Sequence, residues 1–455
     1  MALVFGAVIL TAICARADNT ETPPTVVTFT GDLVPVEIPT PAEQRTTERP
    51  ALVSIDDAIR ECLEHNLDVQ GGREGIAHAK ADLRTTSLLP NPDLTVDTAL
   101  HPLPGQHFTE QKPGGPEQYD AIVSYPVDWL VFGKRAAAVE SARRGIDVSV
   151  ADFADLVRQR LADTIGAFYD TVEAKALLPL AEEDTGNLRR VAEMTAQRAA
   201  IGGGPRIDVD RARLAATASE RDLRQADRAV VTTKATLRVL LGRTGDEPAF
   251  DVEGTVEVEH PSEPPEVDDA LQTAAATRPD ILSLQRQVDR AEAEVQSQMA
   301  QAFPDLSVQL GYTYQRQTPI GSPDVSSYGA ALTVGLPLFN RNQGNIAKAQ
   351  SAARQARLAL EAGRLQLRAD IEKATTALRV AYLGVTADDP ANLKLATRVR
   401  TSIETAYRDG GRPLLDLLDA ERAYRDAFRQ HIALNLDYRR AVAALNTAVG
   451  KQVVP

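Results

Sequence analysis

Pro304-Asp305-Leu306-Ser307-Val308-Gln309-Leu310-Gly311-Tyr312-Thr313-Tyr314 alternates strictly from Leu306 onward. Leu306, Val308, Leu310, Tyr312 and Tyr314 fall on one side, and Ser307, Gln309, Gly311 and Thr313 on the other. A period of two is that of a strand. A partner follows at 328–336, with Tyr328, Ala330, Leu332, Val334 and Leu336 on one face and Gly329, Ala331, Thr333 and Gly335 on the other. Pro92-Asp93-Leu94 repeats Pro304-Asp305-Leu306 at an offset of 212 and heads a second pair, 94–100 and 119–125. Each segment approaches the roughly nine to eleven residues that cross a bilayer when tilted, and tyrosines stand near the ends, where an aromatic girdle lies. Taken alone, each pair fits equally well an ordinary hairpin packed on a soluble core. The rest of the chain offers no further strands for such a core. Four strands cannot close a barrel, and an open edge in lipid leaves backbone groups unsatisfied. Closure therefore calls for other copies, and three of them supply twelve strands.

The repetition extends beyond the hairpins. Asp56-Asp57-Ala58 recurs as Asp268-Asp269-Ala270 at 212; Ser141, Ala142 and Arg144 match Ser351, Ala352 and Arg354 at 210; Pro205, Asp208, Ala212, Leu237 and Gly242 match Pro413, Asp416, Ala420, Leu445 and Gly450 at 208. So long a period marks a duplicated half, not a solenoid. The expected organisation is a first repeat at 51–250, a linker at 251–265, a second repeat at 266–450 and a tail at 451–455.

Between the hairpins the pattern is helical. From about 134 to 200 the apolar residues Val139, Ile146, Val150, Phe153, Val157 and Leu161 recur at spacings of three, four or seven, a helix stripe. The corresponding stretch is 345–409. Pro179 and Pro390 are expected to break these helices, since proline lacks the amide hydrogen and clashes with the preceding turn. Over sixty residues at about 1.5 Å each exceed any bilayer, so the helices project into an aqueous space. Ile201-Gly202-Gly203-Gly204-Pro205 and Asp409-Gly410-Gly411-Arg412-Pro413 read as glycine stops followed by proline at the first position of the next helix, hence as two hairpin tips. Helices return over 207–241 and 414–449, and shorter ones at 55–64, 67–88, 267–275 and 280–301 lead into the strands.

Composition and charge narrow the function. The chain has 455 residues, 43% hydrophobic but only 5% aromatic, which favours long, closely packed helices. A formal charge of -13 argues against nucleic acid as a partner. The apolar run from Ala2 to Ile13 followed by Ala15-Arg16-Ala17 predicts a signal peptide, 1–17, cleaved before Asp18. Thr11, Ala12 and Ile13 make a poor lipobox ahead of Cys14, so cleavage is expected rather than lipidation. Residues 18–50, rich in Thr, Pro and Glu, read as an extended or disordered leader. Cys62 lies on an amphipathic stretch and reads as core. The histidines are scattered without ligand spacing, and His101, His107 and Glu110 belong to a solvated loop. No nucleotide loop follows Gly202-Gly203-Gly204, because no Gly-Lys-Ser/Thr is present.

Phe303-Pro304-Asp305-Leu306-Ser307, Leu336-Pro337-Leu338-Phe339-Asn340-Arg341-Asn342-Gln343-Gly344 and Leu414-Leu415-Asp416-Leu417-Leu418-Asp419-Ala420 together resemble the outer membrane efflux proteins of the TolC type, from about 54 to 450. The Leu-Phe-Asn-Arg-Asn-Gln-Gly stretch resembles the heavy-metal efflux branch, the CzcC and CusC type. The resemblance implies a mainly α protomer with a membrane β-barrel portion. In that architecture four strands and long periplasmic helices per copy build a homotrimer, whose twelve-stranded barrel in the outer membrane lipid continues into an α-helical tunnel. It also implies a passive channel with a periplasmic adaptor (membrane fusion) protein and an inner-membrane pump of the resistance-nodulation-division class as partners, and no cofactor. By the same resemblance Tyr407, Arg412, Asp416, Asp419 and Asp208 fall at the periplasmic gate, and Gly202, Gly203, Gly204, Gly410 and Gly411 at the adaptor-docking tips. A Tyr hydroxyl and an Arg guanidinium reaching one carboxylate would latch the tips, and converging aspartates would favour cations. Helix-starting aspartates that merely cap are the plainer alternative.

Other classes remain at this point. Asp416 and Asp419, three apart on one helix face, have the spacing of a carboxylate pair for acid–base work, but no nucleophile elbow or metal-binding His pair accompanies them, and an enzyme is not expected. A multidrug or type I secretion channel shares every feature above. An exported helical scaffold without a pore explains the helices but not the paired hairpins.

Overall fold

The computed structural model describes residues 51–454 apart from 102, 108, 112, 113 and 245–248, and at 388–390 the backbone alone. The expected signal peptide at 1–17, Cys14 included, and the leader at 18–50 lie outside the described residues. In chain order the elements are β1 (Ala51–Val53), α1 (Ile55–His65), α2 (Leu67–Ser87), β2 (Asp93–Ala99), β3 (Glu117–Pro126), α3 (Asp128–Val131), α4 (Lys134–Ala200), α5 (Arg206–Leu240), β4 (Phe250–Val252), α6 (Val267–Thr277), α7 (Pro279–Ala300), β5 (Asp305–Arg316), β6 (Val325–Gly335), α8 (Gln343–Leu383), a π-helical segment (Gly384–Asp388), α9 (Asp389–Arg408) and α10 (Leu414–Val449).

The duplicated signatures mark where elements begin. Asp56 and Asp57 occupy the first turn of α1, and Asp268 and Asp269 that of α6. Acidic side chains there complement the helix dipole. Ser54 and Asp57 close a capping box at α1, and the alanines that follow, Ala58 and Ala270, are buried. Asp93 and Asp305 open β2 and β5.

The four long strands form one antiparallel sheet in the order β2-β3-β5-β6. Its register aligns Leu94, Val123, Leu310 and Ala330 across one face, with Val96, Ala121, Tyr312 and Tyr328 in the next row. Leu310 and Leu332 stand exposed on this face, and Tyr328 is 87% exposed. An ordinary hairpin on a soluble core would bury exactly these side chains, so that alternative fails on burial. The opposite face is polar: Asp120 accepts from Thr313 and from Gln118. Tyr119–Tyr314 and Tyr312–Tyr328 ring pairs, with centroids 6.1 and 5.6 Å apart, cross the strands, each contributing about 0.5–1 kcal/mol. Strands β2 and β6 each pair on one side only among the described residues. No described helix is long and apolar enough to cross a membrane.

At the far end of the β5–β6 hairpin, Asp324 staples the connecting loop. Its carboxylate accepts from the Thr318 amide and hydroxyl, the Tyr314 hydroxyl and the Gln317 amide. The Thr318 amide, first among these donors, helps lower the Asp324 pKa to about 2. A lowered pKa means stability present above the ordinary carboxylate range and lost as pH falls through about 2. Pepsin, active across this range, is expected to leave the loop intact at pH about 4 and to nick it only as the pH nears that value.

Helix α4 runs unbroken for 67 residues, about 100 Å. The expected break at Pro179 does not occur. The proline is exposed, and packing on α5 holds the helix on either side of it. In the second half the helix is interrupted, by the π-helical turn Gly384–Asp388 immediately ahead of Pro390.

The short β1–β4 parallel pair, too brief for periodicity to reveal, seats Val53 and Val252 against Phe168, Leu237 and Leu436. A second core joins α6, α8 and α10 through Leu367, Ile371, Leu378 and Leu445. Cys62 is buried, as expected.

Candidate functional site at the paired hairpin tips

Helix α4 and the α9 end of the second long helix finish in the same way. At the first tip the Gly203 amide donates to the Arg198 carbonyl (2.8 Å) and the Gly202 amide to Ala199 (3.2 Å). At the second, Gly411 donates to Ala406 (2.8 Å) and Gly410 to Tyr407 (3.1 Å). This is the Schellman pattern, and it needs a left-handed residue just past the helix: Gly202 has φ 82° and Gly410 φ 78°. A Cβ at Gly410 meets nothing within 4 Å, so the constraint is the backbone angle alone. Gly410→Ala is therefore expected to lower local stability by about 1 kcal/mol, read as roughly fivefold faster hydrogen exchange around the turn. Pro205 and Pro413 stand at the N-caps of α5 and α10, one position earlier than expected. The extended backbone of a cap suits the fixed proline φ equally well. Gly203, Gly204 and Gly411 complete the exposed loops.

Just above the turns a small core joins the two hairpins: Val191, Ala212, Tyr407, Leu414 and Leu417. Tyr407 is only 5% exposed. Its hydroxyl lies 3.0 Å from that of Thr195, which itself donates to the Val191 carbonyl, so Tyr407 is the donor. Tyr407 and Arg412 do not converge on one carboxylate within the protomer. The tyrosine turns into the core and is satisfied there, while Arg412, in the exposed loop, reaches Asp416 of the first turn of α10 at 3.2 Å. Asp419 is exposed, and Asp208 is half-buried at 3.9 Å from Arg211 on its own helix.

The residue that ties the tips is one that the sequence did not single out. Arg198 donates to the carbonyls of Tyr407 (3.1 Å) and Arg408 (2.8 Å), and its guanidinium lies 4.7 Å from the centroid of the Tyr407 ring. The last carbonyls of α9 are thus capped by a cation from α4. The only sequence signal is a mismatch in the duplication: at the tip offset of 208, Arg198 corresponds to Ala406 and Tyr407 to Ala199.

Two turns above Tyr407, about 10 Å, a charged cluster makes a second tie. Arg400 of α9 reaches Glu183 of α4 (2.9 Å) and Glu421 of α10 (3.1 Å), with its guanidinium 4.2 Å from the Tyr424 ring centroid. Arg425 reaches Asp184 at 3.2 Å. Burial pushes the carboxyls of Glu421 and Asp184 above their ordinary range, against the pull of Arg400 and Arg425. Burial works against the Arg400 charge, but Glu183 and Glu421 hold its pKa up.

No group of three or more metal-ligating side chains occurs among the described residues. Sequence profiles place residues 58–243 and 270–451 in one family, described as outer membrane efflux protein. The chain belongs to the outer membrane efflux protein family. The cobalt-zinc-cadmium resistance protein CzcC of Cupriavidus metallidurans is 22% identical over 400 residues, covering 88% of this chain and 90% of CzcC. The pyoverdine export outer membrane protein OpmQ of Pseudomonas putida is 25% identical over 399 residues, covering 85% and 83%. Among solved structures, that of CusC superposes with a TM-score of 0.70 at 19% identity, over 93% of this chain and 99% of that one. The Campylobacter jejuni outer membrane channel CmeC gives 0.72 at 15% identity, over 95% and 96%. As an outer membrane efflux protein the chain places its apolar sheet face in lipid and its long helices in the periplasm, the fold shared with these channels.

Proposed function

We propose that three copies close their sheets edge to edge into a twelve-stranded barrel continuing into a helical tunnel, through which substrate passes passively to the exterior. One observation carries this reading: the sheet turns its apolar face outward while β2 and β6 keep open edges, and lipid tolerates neither an open edge nor an isolated four-stranded sheet. The two halves, 51–250 and 266–450, joined by 251–265 and followed by the tail 451–455, supply one hairpin tip each. An inner-membrane pump of the resistance-nodulation-division class and a periplasmic adaptor provide energy and docking; the protein itself performs no catalysis. The exposed glycine turns at 202–204 and 410–411 form the docking tips. Arg412, Asp416, Asp419 and Asp208 form the exposed part of the gate, and the buried Tyr407, joined by Arg198, ties it together. Heavy-metal cations are the cargo best supported, by the Leu338–Gly344 sequence and the likeness to a cobalt-zinc-cadmium resistance protein.

Purified trimer in planar bilayers tests the pore: cation-selective openings are expected, and their absence from correctly extracted trimer would sink the channel reading in favour of an exported scaffold. Cargo is a separate question. A deletion strain is expected to become sensitive to cobalt, zinc or cadmium. Sensitivity to drugs with unchanged metal tolerance would instead establish the multidrug alternative.

A further inference from the structure

The charged cluster above Tyr407 reaches further than the two ties of Arg400. Three arginines of the second hairpin each meet a carboxylate of the first: Arg400 of α9 meets Glu183, Arg425 of α10 meets Asp184, and Arg429 of α10 meets Asp222 of α5 at 3.7 Å. All four helices of the two hairpins are thereby joined within about three turns. Charge does not balance there. Glu421 and Asp426 of α10 add two further carboxylates, so three arginines face five acids, while Glu404 of α9 is taken up by Arg408. Asp184 and Glu421 are 6% and 5% exposed, and Arg425 Nε is buried with no acceptor among the described residues. Duplication does not account for the cluster: at the offset of 208, Arg400, Glu421 and Arg425 correspond to Ala192, Arg213 and Thr217.

We propose that this joint is a proton-sensitive latch on the mouth: acidification of the periplasm holds the two hairpins together, and a rise in pH frees them. A buried carboxylate short of counter-charge favours its neutral form. Burial pushes the Asp184 and Glu421 carboxyls above their ordinary range against the pull of Arg425 and Arg400. Neighbouring acids push the same way, Asp222 on Asp184, and Glu404 and Asp184 on Glu421. When the hairpins part, both groups regain water and their ordinary affinity for the proton. The closed joint therefore binds protons more tightly than the open one. Its gain is complete below the ordinary carboxylate range and is lost as pH rises above it. The latch rests on the channel reading and adds to it a regulator, the periplasmic pH.

Full-length trimer in planar bilayers is expected to spend roughly tenfold more time open at pH about 8 than at pH about 5. Time open is the readout, because titration of Asp208, Asp416 or Asp419 at the mouth would change the size of the current instead. Asp184→Asn with Glu421→Gln fixes the neutral form in nearly the same shape, leaving Arg400 its Glu183 and Arg425 its Asp426. This neutral variant is expected to keep the low opening of the acidic wild type across the whole range. A wild type indifferent to pH, or one that opens on acidification, overturns the proposal. So does a neutral variant that retains the wild-type slope, which would place the titration elsewhere, as at His431 on α10. Hydrogen exchange of the extracted trimer reads the joint without the pore. After correction for intrinsic rates, α9 of the wild type is expected to open roughly tenfold less at pH about 5 than at pH about 8, and α9 of the neutral variant equally at both. A trimer that never conducts fails as a channel while this exchange pattern still upholds the joint; wild-type exchange indifferent to pH overturns the latch whether or not the pore conducts.

Discussion

Arg198→Ser combined with Tyr407→Phe is expected to raise the open probability of the trimer in planar bilayers by roughly thirtyfold, the equivalent of about 2 kcal/mol. The pair of changes removes both guanidinium hydrogen bonds to the end of α9, the stacking on the Tyr407 ring and the hydroxyl bond to Thr195. The figure is set at the low end for charge-assisted bonds because one of the two Arg198 contacts faces solvent. Arg412→Ser is the informative control. Its carboxylate partner sits in the same hairpin, at the start of α10, so within the protomer no tie between hairpins is lost and the conductance is expected to change little. An Arg412→Ser channel as open as the double variant would show that contacts between copies, not the Arg198–Tyr407 pair, hold the entrance.

Arg400→Met is expected to cost about 3 kcal/mol of local stability at neutral pH, because it strands Glu421, 5% exposed, without its counter-ion. The buried carboxyl then takes up a proton. Since each pH unit above the ordinary Glu range costs about 1.4 kcal/mol, protonation limits the loss to about 3 kcal/mol at pH about 7 and to about 1 kcal/mol at pH about 5. Methionine replaces the guanidinium over the Tyr424 ring with a thioether that also packs well on aromatic rings, so the pH-dependent part of the loss reports the charge. The sign follows from linkage: a carboxyl whose folded pKa is raised binds its proton more tightly in the fold, so its contribution is full below the ordinary range and declines as pH rises. Hydrogen exchange of α9, corrected for intrinsic rates, should show variant and wild type converging as pH falls from neutral to mildly acidic. A gap that is constant with pH would mean that packing, not ionisation, is responsible. Between α6 and α7, Arg278 pairs with Asp280 and with Asp370 of α8, a joint of the opposite sense. Burial disfavours the Asp280 carboxylate, yet Arg278 at 2.5 Å outweighs it and lowers the pKa, so that joint weakens on acidification.

The fold was legible wherever a period was long enough to count. The β5–β6 hairpin announced itself through strict alternation, and Asp305 to Gly335 pairs almost where the pattern ends. The three-residue strands β1 and β4 offered no period and surfaced only in the structure. Pro179 misled because the rule that proline breaks helices weighs the local cost alone, and here the packing of α4 on α5 outweighs it. The tip glycines were readable because a left-handed turn admits few residues. Arg198 was not, because an arginine on a helix surface looks like any other until the opposite helix is in place. Within the protomer the Tyr407 hydroxyl meets Thr195, a partner that no motif contains and that only the packed helices reveal.

The Arg198–Tyr407 pair has a consequence for symmetry. The proposed trimer would gather six hairpin tips at one end, and duplication would make its wall nearly six-fold. Yet Arg198 faces Tyr407 while their counterparts are Ala406 and Ala199, so the pair joins tips inside a chain and has no equivalent where one chain meets the next. Three of the six junctions of that trimer would be riveted and three left as seams. The proposed mouth would therefore be three-fold by chemistry under a pseudo-hexagonal wall, the two tips of each chain staying coupled until the Arg198–Tyr407 pair lets go.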